Sequence, residues 1–403
     1  MKVSFIHFLN GVMPSYSHAI ASLAASLIDH DVKVVTIRDS DINKNASDIL
    51  ADNPDVVLMS IMSNQYRIAE NLCKALKESR EIKVWVGGSH INAAPHSFYH
   101  SSFDAACYGE GEGVLPEALY AYERGLIYDQ PSWITKNKTT PLEPAVVENL
   151  DALPLPRIDL FERSDILTYP SVMFSRGCPY GCTYCLSRRG GIGGQVRWKS
   201  VEKAISETSS LVEFAKPAEI YFDDDTFLKN PKWVKEYLGR YRDEIGLPFY
   251  CNSRPEAISK EICDILAKSG CAAIGIGVES GSEKIRKEIL NRNLTDEQII
   301  KSFGIAKAAG LQTWSFNMIG IPGENLEHLK STIHLNEAAK VDFVRVSVYT
   351  PYPGTLLDGN VDINNIPTSY FDALNLLTDD MRELASSWVS SLKENGQLWN
   401  DDI

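Results

Sequence analysis

Cys178, Cys182 and Cys185 share the short stretch Ser175-Arg-Gly-Cys-Pro-Tyr-Gly-Cys-Thr-Tyr-Cys185, with glycines at 177 and 181. Three thiolates on one tight loop can converge on a soft metal, and glycine lets the backbone bend around it. A structural zinc site needs four protein ligands. No His falls between His100 and His328, and no second paired-cysteine motif exists. Cys251, Cys263 and Cys271 each stand alone in strand or helix contexts. Three ligands leave a position open, which is a catalytic arrangement. An iron–sulfur cluster normally takes four thiolates, so three would leave one iron for substrate. The apolar run Ser171-Val-Met-Phe174 predicts a strand leading into this loop, where ligand sites of α/β proteins lie.

The CxxxCxxC spacing, with Tyr184 before the third cysteine, resembles the radical SAM superfamily. The resemblance implies a [4Fe–4S] cluster on Cys178, Cys182 and Cys185, with S-adenosylmethionine (SAM) chelating the fourth iron. Reductive cleavage would give methionine and a 5′-deoxyadenosyl radical able to abstract hydrogen from an unactivated carbon. An external electron donor such as flavodoxin or ferredoxin is then implied.

The elements around the loop predict an α/β protein. Residues 1–130 alternate short apolar strands (3–9, 32–37, 54–60, 82–86, 105–108) with helices (17–28, 46–52, 67–77), the pattern of a doubly wound Rossmann-like sheet. Residues 131–165 are a proline-punctuated linker. Residues 166–357 alternate again and predict a partial (β/α)6 barrel of TIM type, with its site at the carboxyl rim. Residues 358–403 form a short helical tail.

Polar groups at the predicted strand ends carry the remaining site. The resemblance assigns Asp224 or Asp225 to the methionine amine, and Glu279 and Ser280 to the ribose and methionyl group. It assigns Gly320 and Pro322, in Gly-Ile-Pro-Gly-Glu324, to adenine. Arg254 suits a carboxylate of cofactor or substrate, or an ordinary salt bridge. Tyr349 and Tyr352 face the substrate or pack. In residues 1–125, Ser60, Gly87-Gly88 and Gly109-Glu110-Gly111 occur in an order that resembles the cobalamin-binding domain of cobalamin-dependent radical SAM enzymes. That resemblance implies a corrin and its nucleotide tail among these loops, with glycine needed where a side chain would strike the tail. The loop Asn10–His18 departs from the DxHxxG pattern that supplies a cobalt ligand. No protein ligand below the cobalt is therefore expected. His18 is a candidate cobalt ligand but is expected rather to face solvent or cap a helix, His7 to lie in the core, and His90 and His96 to line a loop or touch cofactor.

Net charge is −13, which argues against nucleic acid bound on a broad basic face. No apolar run reaches the ~20 residues a membrane span needs, and eight cysteines without a paired framework fit a reducing cytoplasm. The leading expectation is a cobalamin-dependent radical SAM methyltransferase, of class B type, acting on a small molecule. The alternatives are a radical SAM enzyme of non-methylating type (cyclisation, rearrangement, dehydration or aminocarboxypropyl transfer) and a non-catalytic iron–sulfur or zinc sensor.

Overall fold

Strand β1 (Lys2–Phe8) is buried on both faces, as a central strand of a parallel sheet must be. The computed structural model describes residues 1–9, 14–138, 141–186, 194–357, 359, 362, 366–367 and 369–398. Beside β1 run β2 (Asp31–Ile37), β3 (Val56–Ser60), β4 (Lys83–Gly87) and β5 (Ala105–Cys107), in the order β2-β1-β3-β4-β5, all parallel. Helices cover both faces. Ile6, Phe8, Met59 and Val86 pack with helices Ile42–Ala51 and Tyr66–Ser79. Phe5, Leu58 and Trp85 pack on the other side with helices His18–Ser26 and Val114–Glu123. The stretch expected to be linker contributes a sixth strand, β6 (Trp133–Thr135), antiparallel to β5. Its pull is packing: Trp133 stands edge-on to Trp85 with centroids 4.9 Å apart.

The second unit is built from β7 (Ser171–Val172), β10 (Ile220–Phe222), β11 (Phe249–Ser253), β12 (Cys271–Glu279), β13 (Gln312–Ile319) and β14 (Phe343–Val348). They pair in chain order, all parallel, and β7 and β14 are the two edges of an open barrel wall. Its outer face packs Phe222, Phe249 and Phe174 against Trp233, Tyr237 and Tyr241. The helices start on side-chain caps. Ser200 accepts from the Lys203 N–H, Asn230 from Trp233 and Thr295 from Gln298. A two-stranded ribbon, β8 (Ser175–Arg176) with β9 (Arg197–Trp198), brackets the cysteine loop. The hydrophobic core is continuous from the Phe5 face of the first sheet to the outer face of the barrel, so the two units are packed as one body. Helices Tyr370–Leu374 and Asp379–Glu394 add Met381, Ala385 and Trp388 to it. Among the described residues no helix is long and apolar enough to cross a membrane.

Candidate active site

The cysteine loop begins with a turn that only glycine enters freely: Gly177 has φ 91°. It is then pinned from three sides. Thr183 donates through its N–H to Leu290 O and through Oγ1 to Ile289 O, at 3.3 and 2.6 Å. Asn291 Nδ2 donates to Gly181 O at 2.8 Å, and Leu356 N to Thr183 O at 2.8 Å. Cys178, Cys182 and Cys185 are half-buried and in no disulfide. Burial raises Cys178 above the ordinary thiol range, against the pull of the Tyr180 N–H. Arg254 Nη1 lies 3.1 Å from Cys182 Sγ, its guanidinium sits 3.9 Å from the Tyr180 ring centre, and Nη2 pairs with Glu256 Oε1 at 2.7 Å. Arg254 therefore stands at the sulfur side of the loop, a cation beside the Cys182 sulfur. Cys251, Cys263 and Cys271 are fully buried in the helix-packed core. They do not stand alone, for Cys251 and Cys271 lie side by side there.

The three aspartates after β10 divide. Asp224 is 1% exposed. It accepts from the Phe174 N–H (3.0 Å), the Ser175 N–H (2.6 Å) and Ser175 Oγ (2.5 Å). This corrects its assignment to the methionine amine: its oxygens hold the chain entering the cysteine loop. Asp225 is exposed and faces the side of Cys178. Asp223 takes the Tyr169 hydroxyl at 3.2 Å. Burial pushes Asp224 up to about 7 despite its donors. A folded value above the unfolded 3.8 means that protonation favours the fold, so this contribution is full below pH 3.8 and fades toward pH 7. Urea unfolding of the native protein and of Asp224→Asn should show the native advantage shrinking between pH 4 and 7 and constant above. Asp224→Ala, which orphans two buried N–H groups, should cost about 2–5 kcal/mol.

Glu279, last residue of β12, has φ 70° beside a break in strand register, a left-handed conformation costing a non-glycine about 1–3 kcal/mol. Its Oε1 lies 3.4 Å from Arg292 Nη1, which also donates to the Tyr184 hydroxyl at 3.3 Å. Arg292 Nη2 donates to Gly277 O at 2.6 Å. Arg292 is 3% exposed and was not expected in the site; a lone Arg in a polar loop gave no signal. Ser280 turns away. It is fully buried, its hydroxyl accepts from the Ser282 N–H and its carbonyl from Arg286, which corrects its place in a ligand site. Gly320 has φ 78°, and a Cβ there would come 2.5 Å from Leu377 Cδ2. The glycine makes room for Leu377 of the helical tail. Pro322 is exposed, and Glu324 Oε2 accepts from the Gly320 and Ile321 N–H groups.

A cavity of about 750 Å3 lies between the carboxyl ends of the first sheet and the cysteine ribbon. Ser60, Gly87, Gly88, Gly109, Glu110 and Gly111 line it from one side; Arg176, Gly177, Lys199 and Asp225 line it from the other. The sequence placed these two sets in separate domains, and the fold makes one enclosure of them. The glycines serve the chain's own close approaches. A Cβ on Gly88 (φ 93°) would stand 2.6 Å from Ile61 N, and one on Gly109 (φ 105°) 2.3 Å from Ala145 N. A Cβ on Gly87 would meet only ordinary contacts within the chain, 3.6 Å from Cys107 O. Glu110 lines the cavity while engaged by Arg197 and the Val147 N–H.

Four histidines were in question. Asn10–Met13 lie outside the described residues. His18 neither caps nor faces solvent: Ser17 caps, and His18 lines the cavity with Nε2 2.9 Å from Ser171 Oγ. Burial lowers it to about 3, so it is neutral. His7 is buried as expected, edge-on to Phe161. His90 is fully buried between Ser63 and Ser97 hydroxyls and His96 is exposed; neither lines the cavity.

Residues 172–335 match the family model of the radical SAM superfamily, and residues 11–119 that of the B12 binding domain. An uncharacterised methyltransferase of Pyrococcus horikoshii is 29% identical over 84% of this chain and 76% of its own. The cytidylyl-2-hydroxyethylphosphonate methyltransferase of Streptomyces wedmorensis is 24% identical over 75% of this chain, which spans 66% of it. The hopanoid C-3 methylase of Methylococcus capsulatus is 27% identical over 81%, and this chain spans 64% of it. Among solved structures, TsrM of Kitasatospora setae, with cobalamin and a [4Fe–4S] cluster bound, matches with TM-score 0.73 at 17% identity, over 88% of this chain and 77% of that one. OxsB with aqua-cobalamin matches with TM-score 0.74 at 17% identity, over 99% and 69%. These structures share the fold.

A three-cysteine loop on the rim of a six-stranded parallel barrel, with a parallel sheet closing a cavity over it, defines a radical SAM enzyme with a second cofactor domain. The chain carries a radical SAM domain, which implies a [4Fe–4S] cluster and SAM, and a B12-binding domain, which implies cobalamin. Its residues fit these groups: three cysteines outside any disulfide lie on one pinned loop, and a roomy cavity opens at the sheet's carboxyl ends, where such folds bind ligands.

Proposed function

We propose that this chain transfers a methyl group to an unactivated carbon of a small metabolite or natural-product intermediate. The observation that carries this is the single cavity walled by both the B12-binding sheet and the cysteine ribbon. When bound, the cluster and SAM supply a 5′-deoxyadenosyl radical and cobalamin supplies the methyl group. The chain's part is to bind, orient and exclude water. Cys178, Cys182 and Cys185 hold the cluster as thiolates, with Arg254 balancing charge at Cys182. Asp225, in place of Asp224, takes the methionine amine. Glu279, aimed by Arg292, accepts hydrogen bonds from the SAM ribose or methionyl group. Glu279→Gln should keep fold and cluster while weakening SAM binding by roughly 1.5–3 kcal/mol, read by calorimetry; unchanged affinity would remove Glu279 from the site. Ser60, Gly87 and Gly88 form the corrin wall, within a division into residues 1–130, 131–165, 166–357 and 358–403.

A small polar substrate suits the open side of the barrel. Arg345, on the inward face of edge strand β14, is exposed and close enough to influence Tyr169 and Asp223 at the other edge. A flavodoxin- or ferredoxin-like donor supplies electrons in the cytoplasm, and neither nucleic acid nor membrane is a partner. The test is the fate of SAM under reducing anaerobic conditions with candidate substrates. A methyltransferase of this kind forms S-adenosylhomocysteine and 5′-deoxyadenosine together. 5′-Deoxyadenosine without S-adenosylhomocysteine would point to the non-methylating reading.

A further inference from the structure

The turn Gly109-Glu-Gly-Glu-Gly113 carries two carboxylates that the reaction above does not use. Both meet the cysteine ribbon. Arg176 Nη2 donates to Glu112 Oε1 at 2.6 Å, and its Nη1 lies 3.5 Å from Glu110 Oε1. Arg197 grips Glu110 with both terminal nitrogens, each at 2.8 Å, and its Nη1 also donates to Val147 O. Arg176 and Arg197 are the cross-strand pair of β8 and β9, and Cys178 follows Arg176 by one glycine. Glu112 further accepts from Ser22 Oγ at 2.6 Å, on helix His18–Ser26, and Glu110 from the Val147 N–H at 2.6 Å. One cluster of two cations and two anions thus ties the B12-binding sheet, its first helix and the following connector to the base of the cysteine loop.

Side-chain exposures are 22% and 6% for the arginines and 11% and 5% for Glu110 and Glu112. Charges this buried hold geometry firmly, because removing one partner strands the other away from water. Forked guanidinium–carboxylate contacts also fix orientation, not distance alone. All four residues lie in the wall of the cavity.

We infer that Glu110, Glu112, Arg176 and Arg197 are positioning residues that set the distance and tilt of the cysteine loop relative to the corrin cavity. The inference rests on the proposed function, since it supposes both cofactors bound. A salt-bridge cluster that merely glued two units would add stability without fixing the distance between their metal centres.

Pulsed electron paramagnetic resonance on the full chain separates these cases. The probes are the reduced cluster and cob(II)alamin, whose dipolar coupling gives a distance distribution. The native protein should give one narrow distribution. Glu112→Gln and Arg176→Gln should broaden or shift it, while the separate spectra of cluster and cob(II)alamin stay as in the native protein. An unchanged distribution in both variants, even with a lowered melting temperature, would overturn the inference. Should either variant fail to fold, Arg176→Lys, which keeps the charge but loses the fork, reads the same coupling. A native protein lacking one of the two signals would instead count against the proposed function.

Discussion

Replacing Cys178, Cys182 or Cys185 with Ala should each abolish iron-dependent SAM cleavage. Cys251→Ala, Cys263→Ala and Cys271→Ala should leave the cleavage rate per folded molecule unchanged. The first three share a loop held from Leu290, Asn291 and Leu356, half-buried and free of disulfides. With three thiolates provided, no fourth protein ligand replaces a lost one, so the effect is total and not graded. The second three pack in the core behind the sheet, where each large-to-small change costs stability and not chemistry. Measuring 5′-deoxyadenosine after anaerobic reconstitution, with iron counted per protein, checks this. A loss of cleavage in folded Cys251→Ala equal to that in Cys182→Ala would show that the ligand set is wrong.

Gly109→Val should be the most damaging change in the B12-binding sheet. It combines a φ of 105° with a Cβ 2.3 Å from the Ala145 backbone, which no side-chain rotation relieves. A cost of about 3 kcal/mol or more is expected, with loss of corrin binding because the displaced turn is cavity wall. Gly87→Ala, whose Cβ would lie 3.6 Å from Cys107 O, should change stability by under about 1 kcal/mol. Urea unfolding and a visible titration with hydroxocobalamin read both quantities. Wild-type stability in Gly109→Val would contradict the packing of this turn.

Much of the site was legible because strand ends announce themselves. An apolar run followed by cysteines, aspartates or a glycine pair placed the loops at 60, 87, 109, 178, 224 and 279 on the rims where the fold has them. What stayed hidden was direction. Nothing in Asp223-Asp-Asp225 tells which carboxylate turns back to hold Phe174 and Ser175. Glycines at 88 and 109 read as room for a ligand and prove to be room for Ile61 and Ala145. Arg292 reaches Glu279 only through a fold that brings the loop after β12 under the cysteines. Helices Pro231–Glu244 and Leu326–Ala339 begin at the start signals Asn230-Pro231 and Asn325, but their charged faces blur the apolar period that would bound them. The strand β6 is three residues long and exists by virtue of Trp133 packing on Trp85, a pairing no local pattern encodes.

The proposed function requires one chain to hold a SAM-cleaving cluster and a corrin in a shared enclosure. The most direct measurement is the visible spectrum, with iron and cobalt counts, of protein produced anaerobically with cobalamin supplied. About four irons and one cobalt per chain are expected. Corrin bands should sit beside the broad cluster absorption, and the cluster should be lost while corrin is retained in Cys182→Ala. Protein that binds the cluster and cleaves SAM but takes up no cobalt would rule out a cobalamin-dependent methyl transfer.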